Sequence, residues 1–285
     1  MSRRLKDSLV GLGLLVPSAV IFGWFFFYPL YRLVVMGLHQ QNRTGTAERW
    51  VGWSQYSNVL TGSQFRDGVR ITFTYVLYTV PIGLVLGVLL AVAAHRRLRG
   101  IKIFQAIFSS TIASSVAVAS VVFFVLLNPQ IGYFSSNQFF SLAHPGSALR
   151  GVALSSIWQN LGLTFVIVLA GLQAVPDEVH EAATLDGYGP VRRFFRVTLP
   201  MISPTLMFLA VVLVIFALQA FAQADILTQG GPLGSTETLV FKIFGSQQPI
   251  DQGTGAVMAI GLFGITVVVS LVQFVILDRR VHYGN

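Results

Sequence analysis

The chain has 285 residues, 54% of them apolar and only 11% charged, with a mean hydropathy of +0.70. Soluble domains carry roughly 25% charged residues, so this composition excludes a soluble globule and reads as a polytopic membrane protein with one transmembrane domain. The net charge of +8 then reads as topogenic charge rather than a nucleic-acid footprint, and the absence of cysteine excludes disulfides, thiolate metal sites and a cysteine nucleophile.

Taken in order, Arg3, Arg4 and Lys6 precede an apolar run from about Leu9 to Leu38. That run is too long for a signal peptide and no A-x-A follows it, so it predicts an uncleaved first span, kinked at Pro17 and Pro29. Residues 39–66 are polar and aromatic, and Trp50, Trp53 and Tyr56 predict an external loop at headgroup level. The second span is expected from about Val69 to Ala94, with Gly83 and Gly87 spaced for close helix packing. A basic turn with Arg96, Arg97, Arg99 and Lys102 leads into the third, from about Ile103 to Leu127. Small residues between Ala113 and Ser120 favour tight contacts there.

The fourth span is expected from about Val152 to Val175 and the fifth from about Met201 to Ala222. An external loop over 223–254 precedes the sixth span, about Gly255 to Leu277. Six spans place both termini on one side. With that side cytoplasmic, Arg3, Arg4, Lys6, Arg96, Arg97, Arg99, Lys102, Arg192, Arg193, Arg196, Arg279 and Arg280 are inside, 12 of the 19 basic residues. The positive-inside rule therefore favours cytoplasmic termini and a cytoplasmic 176–200 segment.

That segment is a polar interval between two apolar runs and holds Asp177, Glu178, Glu181 and Asp186, four of the chain's 11 acids. Pro176 fits a first helical turn, and the two acids after it suit the positive end of the helix. Helical spacing groups Val179, Ala182, Ala183 and Asp186 on one side, with Glu178, Glu181 and Leu185 on another. Gly187 falls where a C-terminal cap needs positive φ, and Val191 to Thr198 predicts a second short helix broken by Leu199-Pro200. A stiff connector of this kind can seat in a groove of another protein. It can also simply link two spans.

The pattern Glu181-Ala182-Ala183, Gly187 and Val197-x-Leu199-Pro200 resembles the coupling loop of bacterial ABC importer permeases. There the family reads EAA, three residues, G, nine residues, I-x-L-P, and Val197 departs only by replacing Ile. Asn128-Pro129-x-x-Gly132, Leu227 to Pro232 and Ser235 to Leu239 are similar to segments of the carbohydrate group, which includes maltose and glycerol-3-phosphate permeases.

The resemblance implies an all-α polytopic helical bundle with six transmembrane helices, the type I ABC importer permease fold. Residues 65–280 would form the permease domain, 1–64 an added helix and external loop, and 281–285 a cytoplasmic tail. Glu181, Ala182, Ala183, Asp186, Gly187, Leu199 and Pro200 would couple to an ATPase. Implied partners are a second permease subunit, two copies of a P-loop ATPase subunit, an extracytoplasmic solute-binding protein and the lipid of a bacterial inner membrane. No nucleic acid, cofactor or metal is implied. The cargo would be a carbohydrate or polyol-type solute: a sugar, a disaccharide or a glycerol phosphate.

Polar side chains inside spans usually face a bundle interior or a cavity. Gln159, Asn160 and Thr164 in the fourth span, and Phe216, Gln219 and Gln223 in the fifth, fall together at helical spacing. Amides that donate and accept suit hydroxyl-rich cargo, and a ring suits a sugar face. The same amides can instead bond neighbouring helices. Asp225 reads as an exposed or hydrogen-bonded acid at the outer end of the fifth span. The chain has no GxxxxGK[ST], no histidines at ligand spacing and no visible nucleophile–base set, so it is expected not to be an enzyme. An ion-coupled secondary transporter is the alternative. Such carriers show internal repeats and broken helices, and no repeat between the halves is evident.

Overall fold

The computed structural model describes residues 3–42, 44, 48–95, 99–135, 137–246 and 251–278. Arg96, Arg97, Arg279 and Arg280, all weighed in the charge balance, lie outside the described residues, as does the 281–285 tail.

Helix α1 (Arg3–Phe22) continues through a π turn (Gly23–Phe27) into α2 (Tyr28–Met36). A hairpin follows, β1 (His39–Gln41) antiparallel to β2 (Glu48–Trp50), with His39 opposite Trp50. Next come α3 (Trp53–Leu60), α4 (Ser63–Ala94), α5 (Ile101–Ser109) with a 3-10 extension (Ser110–Ala113), α6 (Val116–Leu127) and α7 (Pro145–Gln173). The polar segment forms α8 (Asp177–Leu185) and α9 (Pro190–Arg193), then a π turn (Phe194–Thr198) and α10 (Leu199–Met201). The remainder is α11 (Ser203–Leu218), α12 (Ala222–Thr228), α13 (Leu239–Gly245) and α14 (Gln252–Asp278).

Four stretches, Gly11–Met36, Ser63–Ala94, Pro145–Gln173 and Gln252–Ile276, are long and apolar enough to cross a membrane. Two bent pairs add to these: Ile101–Ala113 with Val116–Leu127, at 103°, and Pro190–Met201 with Ser203–Leu218, at 69°. Counting each pair as one span gives six, compatible with the expected number. The third span is nevertheless not the single rod expected over Ile103 to Leu127. It breaks at Ser114-Ser115, where the Ser115 hydroxyl accepts from the Val118 N–H at 3.2 Å and starts a new helix. The fifth span is also interrupted: α11 ends at Leu218, and α12 starts only at Ala222.

Pro29 does not break the first span. Both π turns precede a proline by the same offset, ending at Phe27 before Pro29 and at Thr198 before Pro200. A proline has no N–H to give and its ring crowds the carbonyl four residues back. The widened turn moves that carbonyl aside, with Tyr28 N bonding Gly23 O and Leu199 N bonding Phe194 O. The connector's helix therefore runs through Leu199-Pro200 and turns only at Ile202.

The chain divides into two compact units. One comprises Met1–Arg66 and Lys242–Gly261. Its small core joins Leu38, Tyr56 and Val257. Tyr56 is buried there and donates its hydroxyl to Val34 O at 2.9 Å. Trp50 and Trp53 are exposed as expected of interfacial indoles.

The larger unit comprises Asp67–Phe241 and Leu262–Asn285. One apolar cluster packs Tyr75, Leu149, Val152, Leu213 and Leu218, with Ala224 and Leu227 of α12. A second packs Ala91 and Ala94 of α4 with Phe165, Val168, Leu172, Ile202 and Leu209. Between them α4 passes very close to α7. A methyl group on Gly87 would collide with the Thr164 side chain, whereas Gly83 faces open space. The glycine pair thus serves one helix contact at Gly87, and Gly83 is free for another use.

Candidate functional site

Two regions of the larger unit carry functional promise. The first is the connector. Helix α8 starts after Pro176 with Asp177 and Glu178 in its first turn. It closes at Gly187, where φ is +77°. The Gly187 N–H bonds Thr184 O and the Tyr188 N–H bonds Ala183 O, each at 3.0 Å, which satisfies two orphan carbonyls at the helix end. The second helix is tied to the first by side chains. Arg193 donates to the Thr184 hydroxyl at 2.9 Å, and the Arg192 guanidinium stacks 4.5 Å from the Tyr188 ring.

The faces of α8 differ from the expected grouping. Ala183 is buried, with Val179 and His180 half-buried beside it, while Ala182 and Asp186 lie on the exposed side with Glu181 and Leu185. Ala183 therefore packs within its own chain, and only Ala182 offers a small outward surface. The carboxylates of Glu181 and Asp186 make no hydrogen bond or ion pair among the described residues. Leu185 is 89% exposed, and Val191 and Phe195 are exposed too, so an otherwise polar connector presents apolar side chains. Leu199 and Pro200 are half-buried. Burial holds the His180 imidazole below its ordinary pKa, helped by Arg193 and His95 and opposed by Asp177. Its Nδ1 is buried with no hydrogen-bond partner among the described residues.

The second region is a cavity of about 530 Å³ within the bundle. Helix α4 contributes Tyr75, Thr79 and Gly83, α6 contributes Val116, and α7 contributes Ser156, Gln159 and Asn160. The fifth span contributes Phe216, Gln219, Ala220, Phe221 and Gln223. Five of the six residues singled out in the sequence thus meet at one cavity. Thr164 does not. It is fully buried, gives its hydroxyl to Asn160 O at 3.0 Å and packs against Gly87, so helix contact claims it.

Gln223 is buried and reaches Gln159 at 3.4 Å, a long amide–amide bond between α12 and α7. Asn160 gives its side-chain N–H to Ser156 O at 3.0 Å, which leaves its carbonyl oxygen for another donor. Gln219 is exposed to the cavity, and its side-chain amide bonds no other group among the described residues. Phe216 and Phe221 supply ring faces, and Tyr75 bonds Ser156 across the α4–α7 contact. Among the described residues the lining holds no Lys, Arg, His, Asp or Glu. Chemically it is a set of amides, hydroxyls and rings, suited to groups that donate and accept hydrogen bonds without net charge.

Tyr75, Thr79, Ser156 and Phe221 were not singled out in the sequence. Yet Thr72, Tyr75, Thr79, Gly83 and Gly87 recur at intervals of three or four along α4, a buried polar and small stripe. That period marks one helix face turned to the interior. Asp225 lies half-buried in the first turn of α12, away from the cavity lining.

Residues 62–283 match the family of binding-protein-dependent transport system inner membrane components. The chain belongs to this family. Its relatives include the sn-glycerol-3-phosphate transport system permease protein UgpA of Yersinia enterocolitica, 31% identical over 95% of this chain and 94% of that one. The UgpA of Agrobacterium fabrum is 29% identical over 95% of each. Among solved structures, a bacterial ABC transporter involved in import of the acidic polysaccharide alginate matches with a TM-score of 0.79 and 20% identity, over 97% of this chain and 98% of that one. The fold is therefore that of an ABC importer permease. As a family member the chain is a membrane-embedded transport subunit and not an enzyme; ATP hydrolysis belongs to a separate subunit. An ion-coupled carrier finds no support in these matches, although broken helices were one of its expected marks.

Proposed function

We propose that this chain forms half of the pathway of an ATP-driven importer and passes a carbohydrate or polyol-type solute through the cavity between α4, α7 and the fifth span. The cavity lining carries the reading: an uncharged surface of Gln159, Asn160, Gln219 and Gln223 with the rings of Phe216 and Phe221. Each amide both donates and accepts, as a hydroxyl does, and each ring offers an apolar face to a sugar. The sn-glycerol-3-phosphate permeases among its relatives support cargo of the same polyol class.

Partners in this reading are a second permease subunit, two P-loop ATPase subunits and an extracytoplasmic solute-binding protein. An alginate transporter solved with its pentasaccharide-bound periplasmic protein supports the last of these. Both termini and the connector face the cytoplasm, as the distribution of basic residues favours. Glu181, Ala182, Asp186 and Leu185 meet the ATPase. Ala183, Gly187, Leu199 and Pro200 keep the connector stiff, so that a push on it moves the fourth and fifth spans together. Residues 65–280 form the permease domain, with 1–64 as an added span and loop.

The test is uptake into vesicles by the whole importer, offered radiolabelled sugars, polyols and sn-glycerol-3-phosphate. At least one should enter at the expense of ATP, and Asn160→Ala combined with Gln219→Ala should cut that uptake sharply with ATPase docking intact. Normal uptake by the double variant would remove the cavity from the pathway.

A further inference from the structure

The interruption of the fifth span frees a backbone carbonyl at the cavity. Ala220 sits between α11 and α12, and its carbonyl receives no backbone N–H among the described residues. An unpaired peptide oxygen inside a membrane bundle is costly, so a partner is required. The partner comes from 18 residues further on. Thr238, only 1% exposed, donates its hydroxyl to Ala220 O at 3.1 Å.

Thr238 is itself held. Its hydroxyl oxygen accepts from the Phe241 N–H at 3.3 Å, and the next residue, Leu239, gives its N–H to the Thr72 hydroxyl of α4 at 2.9 Å. Before it, Thr236 is fully buried and bonds both the Thr228 hydroxyl, at 2.7 Å, and Gly231 O, at 3.0 Å. The segment between α12 and α13 is thus a folded brace, anchored to α4 and ending on the break. On either side of Ala220 stand Gln219 and Phe221, both lining the cavity.

We propose that Thr238 is a positioning residue for the cargo pathway: its hydroxyl fixes the break at Ala220 and thereby the directions of Gln219 and Phe221. This rests on the cavity being the pathway. The hydroxyl, not the methyl group, performs the task, because the carbonyl needs a donor. Removing the donor from this part-buried acceptor shifts a local equilibrium by roughly fivefold.

The chain has no cysteine, so Gln219→Cys gives a single reporter thiol in the cavity. Its rate of reaction with N-ethylmaleimide is measured in the assembled importer, alone and combined with Thr238→Val or Thr238→Ser. Thr238→Val should change the labelling rate by about fivefold or more, and Thr238→Ser should leave it within about twofold. Thr238→Val should also cut ATP-driven uptake in otherwise unaltered importer, with Thr238→Ser restoring it. Unchanged labelling and uptake in Thr238→Val overturn the proposal. So does Thr238→Ser failing like Thr238→Val, which assigns the role to the methyl group. Loss of the permease from the membrane in both Thr238→Val and Thr238→Ala, with Thr238→Ser normal, overturns it in favour of a folding role. Should Asn160→Ala with Gln219→Ala import normally, the cavity reading fails first. A normal Thr238→Val beside a defective double variant removes only the brace.

Discussion

Gly187→Val isolates the stiffness of the connector. At φ +77° Gly187 adopts the left-handed conformation, and no atom lies within 4 Å of where a side chain would begin. Space is not the obstacle; backbone conformation is. An L-residue pays roughly 1–2 kcal/mol there, and a β-branched one sits at the upper end of that range. The alternative is to open the turn, which forfeits the 3.0 Å bonds from Gly187 N to Thr184 O and Tyr188 N to Ala183 O. A cost of about 1–2 kcal/mol lowers the intact turn's share roughly 5- to 30-fold. In vesicles carrying the whole importer, Gly187→Val should reach the membrane in normal amount while solute-stimulated ATP hydrolysis and uptake fall. Gly187→Ala should fall between, and Gly187→Asn should stay near the parent, since asparagine tolerates this conformation. Parent-level uptake in Gly187→Val refutes the stiff-turn argument. Asparagine proving as harmful as valine also refutes it, because the position would then be intolerant of any side chain.

Thr164→Val removes a hydroxyl bonded to Asn160 O within one helix and keeps its volume against Gly87, so uptake should stay within about twofold of the parent. Leu185→Asp should weaken copurification with the ATPase, while the thermal stability of the isolated permease stays within about 0.5 kcal/mol, as befits an exposed site. The double change Asn160→Ala and Gln219→Ala should lower uptake with ATPase docking unchanged, as set out above. His180 makes the connector sensitive to acid. Its folded-state pKa is lowered from 6.5, so the unfolded connector binds the proton more readily. The stabilising share of His180 is complete above pH 6.5 and declines as pH falls through the lowered folded value. Proteolysis within 176–200 should therefore quicken below about pH 6.5, and His180→Gln should flatten that dependence.

The span count and the connector were readable because each rests on a strong local signal. Long apolar runs mark spans. Pro176, the paired acids and Gly187 mark a helix start and stop, and the φ of Gly187 is what that position required. The breaks were not readable. Ser114-Ser115 lies in a stretch without proline or glycine, and beside Ser109, Ser110, Thr111 and Ser120 a serine N-cap there looks like one more small residue in a span. Gln219-Ala220-Phe221 is equally free of breakers, and its interruption depends on a donor from Thr238, far along the chain. Phe216, Gln219 and Gln223 meet Gln159 and Asn160 at the cavity although the sequence reads the fifth span as one continuous helix. The break re-aims Gln223 onto Gln159, a contact that period alone does not supply. The burial of Tyr56 is not legible for a related reason: its hydroxyl has a tertiary acceptor in Val34 O, 22 residues earlier.

The irregular backbone of this bundle and its hydroxyl side chains belong to one design. Thr72, Thr79 and Thr164 each return their hydroxyl to a carbonyl four residues back, at Gly68, Tyr75 and Asn160. Within a regular helix such a carbonyl already has an N–H partner, so the second bond adds little. Ser115 and Thr238 differ in kind. Ser115 receives an N–H that the start of α6 leaves without a helical partner, and Thr238 supplies the carbonyl stranded at Ala220. Both stand at interruptions whose neighbours, Val116 on one side and Gln219 to Ala222 on the other, line the same cavity. In lipid a span tolerates irregular backbone only where protein or a cavity meets its polar groups. The position of the cavity and the position of the breaks are therefore one fact. A pathway for a polar solute needs spans that open to admit it, and those openings persist because a few hydroxyls replace the helical bonds they forgo.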